Sequence, residues 1–438
     1  MAAKRSKRSG RAPTRLTLRA YQVGFGDCFL LTWHYARTQR HVLIDFGSNG
    51  QPPTAPKNLL NAIADDIRKQ CGGKLDAIVL THRHKDHITG FTTQKDGSGP
   101  GDVIRALGPD VVVQPWTEDP NAKTDATEAT TDGIDGKSFV SMLSAMHTVS
   151  AGVVAEAGRL AATETAPWRR QMFQGLTFLG EEGILNRSAV ENLMAMGKAG
   201  TATYVRHGQK SGLEKLLPGV GITVLGPPTL KQSSAIKKER TTDAHEFWML
   251  RAAAGERMAA DGEPPFPAAA TLSSRRPPPY ARWFVPRVRS IRAEGLLSIV
   301  RIMDDAMNNT SVILLFEVGD SMFLFPGDAQ IENWQYTLDK PELMRKLANV
   351  TFYKVGHHGS RNATPKTLWF GFTHRGPANK PGRLGTVVST MADKYGSLAE
   401  GTEVPRRTLV TELQKNSDFF TTQSLGGNKL SQDFEFEL

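Results

Sequence analysis

Residues 75–90 read Leu75-Asp76-Ala77-Ile78-Val79-Leu80-Thr81-His82-Arg83-His84-Lys85-Asp86-His87-Ile88-Thr89-Gly90. The apolar run at the start predicts a buried strand, and three histidines and one aspartate follow it within six positions. Imidazole and carboxylate groups on a rigid strand end suit divalent transition metals. The chain has 11 histidines in all, so this density favours a metal site over a solvated loop with coincidental histidines. Because Asp86 and His87 are adjacent, the cluster can divide between two ions.

Hydropathy predicts alternating strands and helices on both sides of this stretch. Strands are predicted at residues 16–23, 28–33, 41–45, 111–113, 221–225, 311–317, 322–325, 351–355 and 385–389, and helices at 57–70, 103–107, 331–347 and 406–414. This alternation is typical of an α/β layered fold. Residues 120–215 and 228–295 break it, and we interpret both as helical or irregular insertions in one domain spanning residues 16–438.

The pattern His-x-His-x-Asp-His resembles the signature of metallo-β-lactamase-fold hydrolases. Four further segments occur in the order found in that family: residues 23–31, 42–47, 323–329 and 354–360. They are similar to the branch that includes the nuclease domain of the bacterial competence protein ComEC. The resemblance does not cover the two insertions. It implies an αββα sandwich and a metal-dependent hydrolase.

The resemblance also implies two divalent ions, zinc or manganese. It assigns His82 and His84 to the first ion, Asp86 and His87 to the second, and Asp328 to a position between the two. A turn aspartate after Gly327 is the alternative for Asp328.

The adjacent His357 and His358 supply one more ligand. Side chains alternate along a strand, so the two are not both expected to reach the same ion. We favour His357, which follows Gly356 as the late histidine does in relatives, and expect His358 to face the substrate or to orient a ligand.

Many relatives place a third histidine on the first ion. The candidates here are His147, His207 and His245, of which His207 is the best because it follows Thr203-Tyr204-Val205. Each is more often a surface residue than a ligand, and ComEC-like proteins commonly lack this histidine. We therefore expect the first ion to be weakly held.

The remaining site residues are assigned by resemblance. Asp86 is expected to orient the attacking hydroxide as well as to bind metal, and Lys354 either contacts the attacked phosphate or is a solvated lysine at a strand edge. Residues expected to orient the ligands are Asp27, Asp45, Asn309 and Ser311, with ordinary turn residues as the alternative for Asp27 and Asp45.

Composition limits the class of protein. The 438 residues are 39% hydrophobic with a mean hydropathy of −0.34, and no apolar stretch reaches the ~18 residues that crossing a bilayer requires. Only Cys28 and Cys71 are cysteines, which fits a reducing compartment and predicts a cytoplasmic protein without a membrane partner.

The net charge of +10 is concentrated near the start of the chain. Seven cations and no acid precede Tyr21, which leaves +3 for the rest; they are Lys4, Arg5, Lys7, Arg8, Arg11, Arg15 and Arg19. Residues 1–15 are interpreted as a basic disordered tail that either contacts nucleic-acid phosphates or only adds solubility.

An arginine- and aromatic-rich stretch lies in the second insertion. Guanidinium groups suit phosphates and aromatic rings stack on bases, whereas the alternative is a proline-stiffened linker. The candidate nucleic-acid contacts are Arg275, Arg276, Arg282, Trp283, Arg287 and Arg289.

The leading hypothesis is a phosphodiesterase or nuclease that cleaves DNA by a metal-activated hydroxide. A second hypothesis keeps the hydrolase but assigns a small ester, lactone, β-lactam or cyclic nucleotide as substrate. A third is a non-catalytic nucleic-acid-binding module in which metal only stabilises the fold. The sequence does not identify a protein partner.

Overall fold

The computed structural model describes residues 12–119, 186–233, 307–360, 364–395, 403–426 and 429–438. Strands and helices alternate through these residues. The strands, in chain order, are β1 (Arg15–Tyr21), β2 (Cys28–His34), β3 (Gln39–Phe46), β4 (Ala77–Val79), β5 (Val111–Pro115), β6 (Thr201–Val205), β7 (Gly221–Gly226), β8 (Ile313–Val318), β9 (Ser321–Phe325), β10 (Phe352–Lys354), β11 (Gly385–Val388), β12 (Asp418–Thr421) and β13 (Ser431–Glu437).

These strands form two mixed sheets, so the protein belongs to the α/β class. The first sheet has the order β13-β1-β2-β3-β4-β5-β6, and the second has the order β12-β11-β10-β9-β8-β7. In the first sheet β3 to β6 are parallel and the pairs from β13 to β3 are antiparallel. In the second sheet β9 to β12 are parallel and β7 to β9 are antiparallel.

Helices connect the strands. They are α1 (Leu59–Gln70), α2 (Lys85–Ile88), α3 (Pro100–Ala106), α4 (Arg187–Ala199), α5 (Ile331–Leu338), α6 (Pro341–Leu347), α7 (Lys366–Gly371) and α8 (Arg407–Asn416). The predicted helix over residues 331–347 is two helices, because Pro341 cannot donate a backbone hydrogen bond inside a helix and instead opens α6. None of the helices within the described residues has both the length and the apolar character to cross a bilayer.

Three hydrophobic cores hold these layers together. The central core contains side chains from both sheets, with the ring centroids of Phe29 and Phe325 6.0 Å apart and those of Trp33 and Phe316 5.8 Å apart. A second core joins the first sheet to α1, α3 and α4, and a third joins the second sheet to α5, α6, α7 and α8. The two sheets therefore share one core, and each sheet shares a further core with helices.

Two predicted boundaries need correction. The interpreted insertion at 120–215 includes α4 and β6, which belong to the second core and to the first sheet. The predicted tail also reaches too far, because β1 begins at Arg15. Within β1, Arg19 pairs with Asp66 and Asp433, at 2.7 Å in each case. Residues 1–11 and most of the two predicted insertions lie outside the described residues.

Candidate metal centre

The histidine and aspartate side chains gather where parallel strands of both sheets end. Residues 81–88 follow β4, Asp328 follows β9, and His358 follows β10. The carboxyl ends of parallel strands meet at one edge of a sheet. A backbone hydrogen bond of 2.9 Å from the N–H of Val312 to the carbonyl of Thr81 joins the two sheets at this edge. The site is therefore built across both sheets.

Close backbone packing brings the first sheet's loops onto α2. The N–H of Asp27 donates to the carbonyl of Asp86 at 2.9 Å. A Cβ atom at Gly47 would lie 2.4 Å from the backbone nitrogen of His87, so only glycine allows this approach. The glycines around Asp27 and Asp45 thus place two further carboxylates beneath the histidine cluster.

Four buried donor groups converge on one point. Their nitrogen and oxygen atoms lie within 4.8 Å of one another in the group formed by Asp86, His87, Asp328 and His358, hereafter the four-ligand group. The Nε2 atom of His87 is 3.0 Å from Oδ2 of Asp328, and Nε2 of His358 is 2.9 Å from Oδ2 of Asp86 and 3.2 Å from Oδ2 of Asp328. Two imidazoles and two carboxylates are a donor set that divalent zinc or manganese accepts.

Hydrogen bonds behind the two histidines fix their orientation. The Nδ1–H of His87 donates to Oδ2 of Asp45 at 2.8 Å, and Asp45 also accepts from the backbone and hydroxyl of Thr81 at 2.7 Å each. The Nδ1–H of His358 donates to the carbonyl of Ser389 at 2.9 Å. Both rings therefore direct Nε2 into the four-ligand group, as metal-binding histidines do.

Neighbouring charged side chains shift the pKa values of the residues in the four-ligand group. Burial would lower the pKa of His358, but Asp328, Asp86 and Asp27 outweigh burial and raise it to about 10. Burial likewise opposes a raised pKa at His87, yet Asp328 and Asp45 hold that pKa well above its usual value. Burial would raise the pKa of Asp328, but the neighbouring histidines hold it well below its usual range.

The buried carboxylates around the four-ligand group outnumber the buried ammonium groups. Four carboxylates are buried here (Asp27, Asp45, Asp86 and Asp328), against one buried ammonium group, that of Lys354. Buried charges are costly unless a counter-charge compensates them. The residues present therefore fit a bound divalent cation.

A second group of possible ligands comprises Asp27, Asp45 and His87. It lies on the Nδ1 side of His87, where Asp45 already accepts hydrogen bonds. The ammonium of Lys354 pairs with Asp27, lies 3.6 Å from Oδ1 of Asp328, and donates to the carbonyl of Gly327 at 3.3 Å. Because a cation already occupies this side, we interpret the second group as support for the four-ligand group.

Lys354 is buried. Its side chain is 2% exposed, so it is not a solvated lysine at a strand edge. Burial would lower its pKa, but Asp27 and Asp328 outweigh burial and raise it. The ammonium of Lys354 therefore offsets negative charge of the buried carboxylates.

His82 and His84 form a separate pair beside the four-ligand group. Nε2 of His82 lies 2.9 Å from Nδ1 of His84, and the ring centroids of His82 and His87 are 4.1 Å apart. Burial, with His87 and His84 adding to it, holds the pKa of His82 well below its usual value. The pair thus brings together two nitrogen atoms, one from each ring, next to Asp328 and Asp86.

The structure places His358, and not His357, in the four-ligand group. His358 is fully buried with its Nε2 in the four-ligand group, whereas His357 is half-buried and outside it. The prediction assumed that side chains alternate along a strand, but β10 ends at Lys354. Residues His357–Gly359 form a 3-10 turn in which His357 and His358 have φ of 42° and 51°. The backbone turn, and not strand alternation, decides which ring enters the group.

Ser311 and Asn309 were also predicted to orient the ligands. Ser311 accepts a hydrogen bond of 3.3 Å at Oγ from the backbone N–H of Asp328, so it contacts the backbone of that residue and not its carboxylate. Asn309 is buried and its amide lies 3.4 Å from Oε2 of Glu332.

His207 is turned to other partners. Its Nδ1–H donates to the carbonyl of Leu225 at 2.8 Å, and its Nε2 accepts from the ammonium of Lys340 at 3.0 Å. Both ring nitrogens are therefore engaged outside the cluster, and the structure does not bring His207 to His82 and His84. Several candidates lie outside the described residues: His147, His245, Arg275, Arg276, Arg282, Trp283, Arg287 and Arg289.

Two supporting residues were not found from the sequence. Thr81 orients Asp45 and Ser389 orients His358, as the hydrogen bonds above show. Thr81 adjoins the histidine cluster, so its position offered a signal. Ser389 acts through its backbone carbonyl, for which no side-chain pattern exists.

Comparison with known proteins does not name a family for this chain. No protein-family model matches the chain, and no curated protein matches it.

Proposed function

We propose that this protein is a metal-dependent phosphodiesterase, specifically a nuclease that cleaves DNA, built on the αββα metallo-β-lactamase sandwich. One observation carries the proposal: the four-ligand group is buried, has the further buried carboxylates of Asp27 and Asp45 beside it, and lies where both sheets end. Support for the sandwich comes from the layer order of helices, sheet, sheet and helices in the three cores.

We propose two ions with unequal ligand sets. Asp86, His87, Asp328 and His358 would hold one ion, and His82 and His84 would hold a second with help from Asp328. Divalent ions at these positions would lower the pKa of a water molecule and offset negative charge on the attacked phosphate.

The remaining residues have roles that can be stated without the ions. Asp45 accepts the Nδ1 proton of His87, and the Ser389 carbonyl accepts that of His358, which keeps both Nε2 lone pairs directed at the site. The ammonium of Lys354 offsets part of the negative charge of Asp27 and Asp328. The side chain of Asp86 is 12% exposed, more than that of Asp328, and it would orient the attacking water by accepting its proton.

A phosphodiester substrate fits the charge pattern of the whole chain better than a neutral lactone or β-lactam. The net charge is +10, and the predicted tail and the arginine-rich stretch carry much of it. Cationic segments favour polyanions such as DNA. The two cysteines are free and buried, which supports a cytoplasmic location.

The test measures metal content and turnover together. The full chain is loaded with Mn²⁺ or Zn²⁺ and incubated with linear DNA, plasmid DNA, RNA and bis-p-nitrophenyl phosphate. We expect DNA cleavage by the loaded protein and none by an Asp86→Ala, His87→Ala variant. The matched control is Asp76→Asn, which changes a buried aspartate that pairs with Arg40 away from the site.

Each alternative has its own outcome. Turnover of the small diester without cleavage of DNA or RNA would replace the nuclease with a small-molecule hydrolase. Stoichiometric metal binding without turnover of any substrate would favour a non-catalytic module. Equal metal content in the double variant and in Asp76→Asn would remove the four-ligand group as the metal site.

A further inference from the structure

We propose that Tyr395 and Lys394 form a binding subsite for the nucleotide next to the scissile phosphodiester, with the base against Tyr395 and its phosphate on Lys394. This inference rests on the proposed function and adds what the substrate must carry: a nucleobase beside the reacting phosphate. Lys394 and Tyr395 are hereafter called the flanking subsite.

An aromatic contact links this subsite to the four-ligand group. The ring centroid of Phe25 lies 4.3 Å from that of His358 and 4.6 Å from that of Tyr395. Phe25 is 5% exposed, whereas Tyr395 is half-buried. One buried ring therefore separates a metal-binding candidate from a ring at the surface, so a group bound at Tyr395 is a neighbour of a group bound at His358.

The position of Tyr395 is held by the loops that also carry Asp27 and Asp45. The amide of Asn49 donates to the hydroxyl of Tyr395. The N–H of Asn49 donates to the carbonyl of Phe25 at 2.6 Å, and the N–H of Phe25 donates to the carbonyl of Gly50 at 2.9 Å. Tyr395 is thus tied to the same rigid framework as the candidate ligands, as a binding residue should be.

Lys394 supplies a cation at this rim. Its Nζ lies 5.7 Å from the ring centroid of Tyr395, and a Cβ atom at Gly50 would come within 3.0 Å of its Cε. The glycine therefore lets the aliphatic stem of Lys394 lie on the backbone. In the part of the chain that the structure describes, no carboxylate forms an ion pair with Lys394.

The position of Lys394 beside Tyr395 indicates the kind of ligand that the flanking subsite would bind. The four-ligand group is rich in carboxylates, and its buried cation, Lys354, is already engaged by Asp27. Lys394 is a further cation, half-exposed and one residue from an aromatic ring. A cation that tracks the backbone and an aromatic ring that stacks on a base are the two elements of single-strand nucleic-acid binding. A neutral lactone or β-lactam would use neither.

The binding experiment uses the full chain and a fluorescein-labelled oligothymidine of about 12 nucleotides, a length within single-strand site sizes. Fluorescence anisotropy in EDTA reports binding without cleavage. We expect Tyr395→Leu to weaken binding about 10-fold and Tyr395→Phe to retain it, because the ring provides the stacking. An abasic strand of the same length should bind Tyr395→Leu and the unchanged protein alike.

Lys394→Gln is tested against Lys69→Gln, an exposed lysine in the last turn of α1, the helix that precedes β4. We expect Lys394→Gln to weaken binding of both strands and to reduce the slope of log affinity against log salt by about 1, with Lys69→Gln unchanged. Equal salt slopes for the two variants, or equal oligothymidine affinity for Tyr395→Leu and Tyr395→Phe, would overturn the subsite.

Turnover of bis-p-nitrophenyl phosphate by the manganese-loaded, unchanged chain separates the two proposals. If this diester and DNA are both left intact, the proposed function fails. If the diester is hydrolysed while the Tyr395 and Lys394 variants bind and cleave DNA like the unchanged protein, only the flanking subsite fails.

Discussion

The four-ligand group and the His82–His84 pair lie side by side, yet they differ in what they offer a metal ion. The four-ligand group has two carboxylates and two imidazoles, and both imidazoles are oriented from behind. The pair has two nitrogen atoms 2.9 Å apart, and within the described residues neither histidine belongs to a group of three or more converging ligand atoms. If the protein binds two ions as proposed, the four-ligand group should hold its ion firmly and the pair should hold the second ion weakly.

The largest effect is expected from removing a charge at the centre of the four-ligand group. Asp328→Asn should weaken binding of the first equivalent of metal about 100-fold or more, which exceeds the usual effect of partners behind the ligands. The reason is that Oδ2 of Asp328 lies 3.0 and 3.2 Å from the Nε2 atoms of His87 and His358. Competition with a chromophoric chelator measures the affinity.

Asp76→Asn is the control for that change, since it also removes a buried carboxylate. It should leave the metal affinity within about 3-fold of the unchanged protein, although it loses the ion pair with Arg40. Equal affinity losses in the two variants would mean that Asp328 acts through general stability.

The next effect tests the hydrogen bonds behind the ligands. Asp45→Asn keeps the shape of the side chain but weakens the acceptor for His87 Nδ1–H, so metal affinity should fall about 10- to 100-fold. At His358 the hydrogen-bond acceptor is instead the backbone carbonyl of Ser389, and Oδ1 of Asp27 lies farther from Nδ1, at 3.7 Å. Calorimetric titration with Zn²⁺ or Mn²⁺ measures the change, and an unaltered affinity would contradict the proposed orientation.

The close spacing of histidine and aspartate in the sequence predicted one part of the site. The positions of the other residues depend on backbone geometry. His82, His84, Asp86 and His87 are close in sequence, so their proximity in space follows from a short loop after β4. The choice between His357 and His358 depended on a left-handed turn that no side-chain pattern predicts. The convergence of Asp328 and His358 depends on two parallel strands that end at the same edge.

The fold shows the same division. Strands with continuous apolar runs, such as β2 and β5, were predicted because they are buried on both faces. β12 and β13 were missed, and both are edge strands with mostly half-exposed residues. β12 pairs with β11, and β13 pairs with β1. The positions of both edge strands are therefore set by contacts between residues that are distant in sequence.

A smaller effect is expected from a change in the His82–His84 pair. His84→Ala should abolish binding of the second equivalent of metal and change affinity for the first by less than about 3-fold, because the four-ligand group does not include His84. Metal analysis after dialysis at two free-metal concentrations distinguishes the sites. Loss of both equivalents would mean that the pair and the four-ligand group form a single unit.

The smallest effect concerns His207, the sequence-based candidate for the missing ligand. Burial, together with the cations Lys340 and Arg206, lowers its pKa below 6.5 despite the hydrogen bond to Leu225. The unfolded chain therefore binds the proton more readily, and His207 makes stability fall as the pH drops below about 6.5 toward the lowered pKa. His207→Gln should bind metal like the unchanged protein and lose less stability between pH 7.5 and 5.5. Urea unfolding at both pH values measures this difference. A reduced metal content in His207→Gln would instead return His207 to the pair and remove the asymmetry between the two sites.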